Sequence, residues 1–255
     1  MSKLDLRPCI KRVQPDIWKN TMSQNAEDIT IKIIADAINI SESDRIAVDV
    51  GSWDGIKLSN IYNLLTVDNW GGILIEGNLN KIERSRKNFA GRSNIRHHHG
   101  FVDLEENGIN DILAQHNCPI DFGVFNLDID SWEFWVWKDL TYKPKIVCIE
   151  HNGNILNEDK VVAYDTNWKT SHVPGQQDNY GAGAKSLLRL GNHKGYDLVA
   201  ASVHNLIFVR NDVSEKFEII NEIDVDYFKN VLGCYRNPQR QRMVPSCFTF
   251  HPSVD

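Results

Sequence analysis

The sequence predicts an α/β fold, a doubly wound sheet, and three observations predict it. The stretch RIAVDVGSWDGIKLSNIYNLLTVDNWGGILIEGN, from Arg45 to Asn78, reads as strand, glycine loop, helix, and a second strand that ends on an acid. Two later apolar runs, Ile120–Asp130 and Lys145–Asn152, also end in carboxylates and polar groups. In a parallel sheet such groups meet in the crevice beyond the C-terminal strand ends. At 255 residues the chain can bury a full core as one domain.

In the organising stretch, Ile46-Ala47-Val48 leads to Asp49, and Gly51-Ser52-Trp53-Asp54-Gly55 forms the loop. Ile56, Ile61, Leu64 and Leu65 carry helical spacing, and Gly72-Ile73-Leu74-Ile75 runs into Glu76. Glycines let backbone pass close to a ligand, and an acid some twenty residues on can accept from ribose hydroxyls. A dinucleotide loop, G-x-G-x-x-G, with Gly55 as its middle glycine would carry glycines at positions 53 and 58, and this chain has Trp53 and Leu58. An acid before the first glycine repels phosphate and favours a cationic or amine-bearing ligand.

That pattern, Asp49-x-Gly51-x-x-x-Gly55 with Glu76 ending the next strand, resembles the class I S-adenosylmethionine-dependent methyltransferases. The resemblance implies a Rossmann-like doubly wound sheet of seven strands, mostly parallel with an antiparallel last strand, and S-adenosyl-L-methionine as cofactor. It implies contacts from Asp49, Gly51, Ser52 and Gly55 at the amino acid end, and from Glu76, Gly77 and Asn78 near the ribose. Asp103 would stand near the adenine.

Composition sets the class. Apolar content of 42% and charged content of 24% are those of a soluble globular protein, and a net charge of −6 argues against an electrostatic grip on nucleic acid. The five cysteines are scattered with no C-x-x-C pair, which fits reduced thiols. No apolar run is long enough for a signal peptide or a membrane span, so a cytoplasmic location is expected.

In chain order, residues 1–22 read as an irregular lead-in. A helix opens at Ser23-Gln24-Asn25-Ala26-Glu27-Asp28, capped by Asn25 or Ser23, with Ile29, Ile31, Ile33, Ile34 and Ala37 on its apolar face. A surface helix packed on the sheet accounts for it; alternatively Gln24, Glu27 and Asp28 also border the ligand pocket. The wording S-Q-x-x-E-D-I resembles the segment before the first strand in FkbM-like methyltransferases, which modify sugars and related hydroxyls. Asn80–Phe89 reads as an exposed basic helix. His97, His98 and His99 alternate faces on a strand and cannot all ligate one ion.

Leu104–Cys118 reads as a helix, and Trp132, Phe134, Trp135 and Trp137 as core more than as a stacking platform. Residues 153–180 form a long polar segment, expected to be a substrate-covering loop. A helix over Lys185–Asn192 and strands Tyr196–Ala200 and Leu206–Val209 follow. The run YGAGAKSLLRLGNHKGYDLVAASVHNLIFV resembles the closing segment of the FkbM-like enzymes, with Ala184 in place of the usual serine. Residues 23–210 therefore form the cofactor-binding domain, and residues 211–255 an extension packed on it.

Methyl transfer to a poorly acidic hydroxyl needs alignment and either a base or a divalent cation. Acids after the fourth strand and an acid–asparagine pair after the fifth resemble the magnesium site of catechol-type O-methyltransferases. The resemblance implies Asp128 with one or more of Glu150, His151 and Asn152 as Mg2+ ligands, Asp128, Glu150 and Asn152 being the set expected, with Asp128 also beside the cofactor. Ser131 stands where those enzymes carry their lysine, which shifts the base to a histidine, His151 first and His172 second. The same residues could instead cap strands or sit as structural groups. The expected acceptor is a small molecule, a sugar or nucleotide-linked sugar, with a homo-oligomer possible. A methyltransferase on protein or nucleic acid, and an inactive binding module of the same fold, are the alternatives.

Overall fold

The computed structural model describes residues 3–7, 21–165, 180–233 and 243–245. Seven strands form the main sheet: β1 (Ile46–Val50), β2 (Gly71–Glu76), β3 (Ile95–His99), β4 (Asp121–Leu127), β5 (Lys143–Glu150), β7 (Tyr196–Ala201) and β8 (Asn205–Arg210), in the order β3-β2-β1-β4-β5-β8-β7. β6 (Lys160–Val162) lies outside it. The first five strands pair in parallel, and β8 runs antiparallel to both β5 and β7. This is the sheet expected from the sequence, including its antiparallel last strand.

The central strands are buried on both sides, which is why they read as unbroken apolar runs. One face, with Val48, Val50, Phe125, Leu127 and Ile149, packs on α4 (Ile109–Gln115), α5 (Glu133–Asp139) and α6 (Ala184–His193). The other, with Ala47, Leu74, Val124 and Cys148, packs on α1 (Glu27–Ile38), α2 (Tyr62–Thr66) and the end of α3 (Leu79–Asn88). Trp137 is fully buried in the first of these cores, as expected of the tryptophan cluster, and Trp132 lies there too while also lining the cavity described below. β3 puts His97 against Ser85 Oγ (3.0 Å) and His98 against His116 (3.3 Å), in keeping with alternation.

Several elements differ from the sequence reading. The helix expected from Ile56 begins only at Tyr62, because Asp54 Oδ1 accepts from the amides of Ile56 and Lys57 and Leu58 is left-handed (φ 60°). The helix expected from Leu104 begins at Ile109, because Asp103 Oδ1 takes the amides of Glu105 and Asn107 into a turn. α1 starts at Glu27 with left-handed Ala26 before it, and of the two expected caps it is Ser23 whose Oγ accepts from a first-turn amide, that of Asp28, at 3.3 Å. Its acids bind upstream, the Asp28 carboxylate accepting from Ser23 Oγ at 2.7 Å. Within 153–180, Lys160–Val162 forms a short strand paired with β9 (Met243–Pro245) from the C-terminal extension. In the lead-in, Leu4 bridges to Phe217 and Leu6 is buried. No helix among the described residues is long and apolar enough to cross a membrane.

Candidate functional site

A cavity of about 600 Å³ opens beyond the C-terminal ends of β1, β2, β4 and β5. Its floor starts at Asp49, which is 1% exposed and is paired in register with Asn126 on β4. Asn126 Nδ2 donates to Asp49 Oδ1 at 2.7 Å, and Asn60 Nδ2 donates to Asn126 Oδ1 at 3.0 Å. Asp49 Oδ2 has no protein partner. Burial, reinforced by the nearby Glu76 charge, pushes the Asp49 carboxyl up to about 6.

The glycine loop is held by close backbone approach. The amides of Gly51 and Ser52 both donate to the Ile75 carbonyl, at 3.0 and 3.1 Å. Gly51 has φ +87°, and a Cβ there would lie 1.8 Å from the Asp128 carbonyl oxygen. Only glycine fits. Glu76 then ties loop to strand: Oε2 accepts from the Trp53 amide at 3.0 Å and Oε1 from the Asn78 amide at 2.7 Å. Asn78 in turn caps α3. The second lone pair of each Glu76 oxygen remains for a ligand on the cavity wall.

On the far side, Asp128 follows β4 and Glu150 ends β5, with Leu127 and Ile149 paired just before them. Burial and mutual repulsion, joined by Asp130 and Glu133, push both carboxyls well above the usual range. Glu133 is fully buried and Oε1 accepts from the amides of Ile129 and Ser131, each at 3.0 Å, which fixes the loop that carries Asp130. Burial raises Glu133 to about 7.

Of the residues expected to meet the cofactor, Gln24, Asp49, Gly51, Ser52, Glu76, Gly77, Asn78 and Asp128 line the cavity. Gly55 and Asp103 do not. Gly55 backs the loop, where a Cβ would meet the Phe89 ring at 2.5 Å, and Asp103 is occupied by its own turn. Phe101 takes the wall instead; it is 60% exposed and its ring covers Gly77. Glu150 also lines the cavity, whereas Asn152 is turned away. Asn152 Oδ1 accepts from the Asn154 amide at 3.0 Å and Nδ2 donates to the Tyr180 carbonyl at 3.1 Å. Asp128, Glu150 and Asn152 therefore do not fit as one metal-ligand set, and among the described residues no three acid, histidine or cysteine side chains group to hold an ion.

His151 is buried outside the cavity lining. Its Nε2 faces the Ser202 carbonyl at 3.4 Å, its ring packs on Phe228, and burial lowers it to about 4. His172 lies outside the described residues. The histidine that does line the cavity is His204, in the β7–β8 turn, beside Asn205. Sequence reasoning passed over His204, Asn205, Asn60 and Asn126. No short-range pattern marks residues that meet only through sheet order.

The sheet order, the antiparallel hairpin and the cavity at the β1–β4 switch point decide the architecture. The chain has the Rossmann-like methyltransferase fold. No family model matches the sequence, and no curated protein matches it. Among solved structures, the N-terminal domain of EvdMO1 with SAH bound is 13% identical, over 74% of this chain and 82% of that one, with a TM-score of 0.46. NcsB1, an O-methyltransferase from neocarzinostatin biosynthesis in complex with SAM and 2-hydroxy-5-methyl naphthoic acid, is 13% identical over 72% of this chain and 56% of that one, with a TM-score of 0.39. An RNA methyltransferase from Salinibacter ruber in complex with S-adenosyl-L-homocysteine is 13% identical over 77% and 96%, with a TM-score of 0.36. Likeness at this level concerns the fold and carries no argument about acceptor or mechanism.

Proposed function

We propose that this chain is an S-adenosylmethionine-dependent O-methyltransferase acting on a small polar acceptor, of the sugar or nucleotide-linked sugar class. The observation that carries the reading is the convergence of Asp49, the Gly51–Ser52 loop and Glu76 on one cavity. A dinucleotide would need helix N-terminal amides right after the glycine loop. Here residues 52–61 are irregular and α2 is only five residues long, so the glycine loop does not open directly into a helix. A buried, unpartnered carboxylate oxygen on Asp49 suits a cationic ligand end, and the Glu76 oxygens suit ribose hydroxyls.

When bound, S-adenosylmethionine supplies a methyl group on a sulfonium. The chain's own task is to align the acceptor hydroxyl and take its proton. We assign that proton to His204, which lines the cavity and is held toward its neutral form by burial. Neutral imidazole is the form that accepts a proton. The FkbM-like wording at 23–29 and 180–209 supports a sugar-type hydroxyl; the second stretch builds the cavity's Tyr180 wall and the His204 turn.

Calorimetric titration with S-adenosylhomocysteine tests the cofactor. Micromolar binding is expected, and absence of binding by the folded protein overturns the reading. Methylation screens over sugars and nucleotide-sugars, with protein and RNA as comparison acceptors, test the acceptor class.

A further inference from the structure

We propose that the acceptor of this site carries a protonated amine, seated on Glu150, Asn205 and Asp128 where β4, β5 and β8 meet the cavity. This rests on the methyltransferase reading and specifies its substrate.

Glu150 and Asn205 are register partners across the antiparallel β5–β8 pair, and Asp128 flanks Glu150 on the parallel side. Cross-strand neighbours on one face stand about 5 Å apart at Cβ. The three side chains thus form a row, and all three line the cavity. Glu150 is 7% exposed and Asn205 2%. Glu150 Oε2 and Asn205 Oδ1 are buried with no hydrogen-bond partner. The amide orientation of Asn205 is set by Nδ2, which donates to Glu27 Oε1 at 3.4 Å, and this leaves its oxygen without a partner.

Once the protons that burial holds on Asp128 and Glu150 leave to solvent, the two carboxylates and the Asn205 oxygen form a row of acceptors complementary to donors. Each buried acceptor left without a donor bears its full desolvation cost. A hydroxyl brings one hydrogen; an ammonium brings three and a charge. That charge also offsets the repulsion among Asp128, Asp130, Glu133 and Glu150. The amino group of the cofactor cannot serve both ends of the site. Asp49 on β1 and Glu150 on β5 are two strand spacings apart, about 10 Å. A metal ion is the poorer occupant, since Asn152 is turned away and no third acid joins the pair at ligand distance among the described residues.

The test uses the full chain loaded with S-adenosylhomocysteine, whose binding is first measured calorimetrically. Saturation-transfer NMR titrations then compare matched probes, glucosamine against glucose and tyramine against tyrosol. The amine of each pair is expected to bind at least about tenfold tighter than its hydroxyl match. Glu150→Gln is expected to abolish that preference and leave S-adenosylhomocysteine affinity within about twofold, and Asn205→Ala, should Glu150→Gln not fold, to reduce it. No amine preference in the loaded protein, absence of probe binding included, overturns the proposal while the cofactor reading stands. So does a Glu150→Gln loss of S-adenosylhomocysteine affinity, which would give these oxygens to the cofactor. Saturable Mg2+ binding that Glu150→Gln removes would assign the row to a metal and likewise overturn it. Failure of S-adenosylhomocysteine to bind at the outset strikes the methyltransferase reading itself.

Discussion

Asn126 on β4 donates to Asp49 on β1 at 2.7 Å, and that bond leaves the second Asp49 oxygen buried without a partner. The carboxylate is thus built for a ligand at a cost to the ligand-free chain. The folded carboxyl keeps its proton up to about pH 6, against 3.8 for the ordinary group. Stability therefore falls as pH rises through that window, and the full cost, about 3 kcal/mol at most, stands above it. Asp49→Asn is expected to raise ligand-free stability at pH 8 by about 1–3 kcal/mol, with little effect at pH 4. It should weaken S-adenosylhomocysteine binding at least about tenfold, as a lost charged contact does. Urea denaturation at the two pH values and calorimetry check both halves. A variant that binds like the wild type removes Asp49 from the site.

Glu76 holds the amides of Trp53 and Asn78 as well as facing the cavity. Glu76→Ala should weaken cofactor binding by about 1–3 kcal/mol. Glu76→Gln keeps one acceptor oxygen and should lose less. Equal affinities across the three proteins would separate Glu76 from the ligand.

Two glycines with similar φ differ in surroundings. Gly51 (φ +87°) lies against the Asp128 carbonyl, and Gly91 (φ +83°) has nothing within 4 Å of a built Cβ. Gly51→Ala should destabilise by roughly 2–4 kcal/mol and Gly91→Ala by about 1–2 kcal/mol, the left-handed strain alone. Thermal melts rank them, and the reverse order would mean the loop does not approach β4 so closely.

His204 and His151 separate a proton acceptor from a packing group. With an acceptor identified by screening, His204→Ala should lower kcat by about 100-fold or more, the usual share of a general base. His151→Ala should change kcat only a few-fold and lower the melting temperature, since its ring is buried against Phe228. A large kcat loss in a stable His151→Ala protein would return the role to His151.

Much of the frame was legible from periodicity. Strands buried on both faces read as apolar runs, and the acids that end them announced the crevice edge. Asp49, Gly51 and Glu76 were visible because a loop motif keeps them close in sequence. Two helix starts were misread because side-chain turns at Asp54 and Asp103 competed with the helix, and apolar spacing carries no trace of that competition. The strand pair of Lys160–Val162 with Met243–Pro245 joins segments some eighty residues apart, beyond any local pattern.

The sequence alone determined the α/β architecture, the glycine loop and the acid-rich crevice, because these follow from periods of two and 3.6 and from short spacings. Tertiary structure decided which polar ends share the cavity. Antiparallel insertion of β8 beside β5 sets Asn205 opposite Glu150 and brings His204 to the wall, while His151 and Asn152, the next two residues after Glu150, are drawn into the protein by their own contacts. Strand order is a property of the folded sheet, and one residue along a chain leaving a strand is enough to turn a side chain from the cavity into the core.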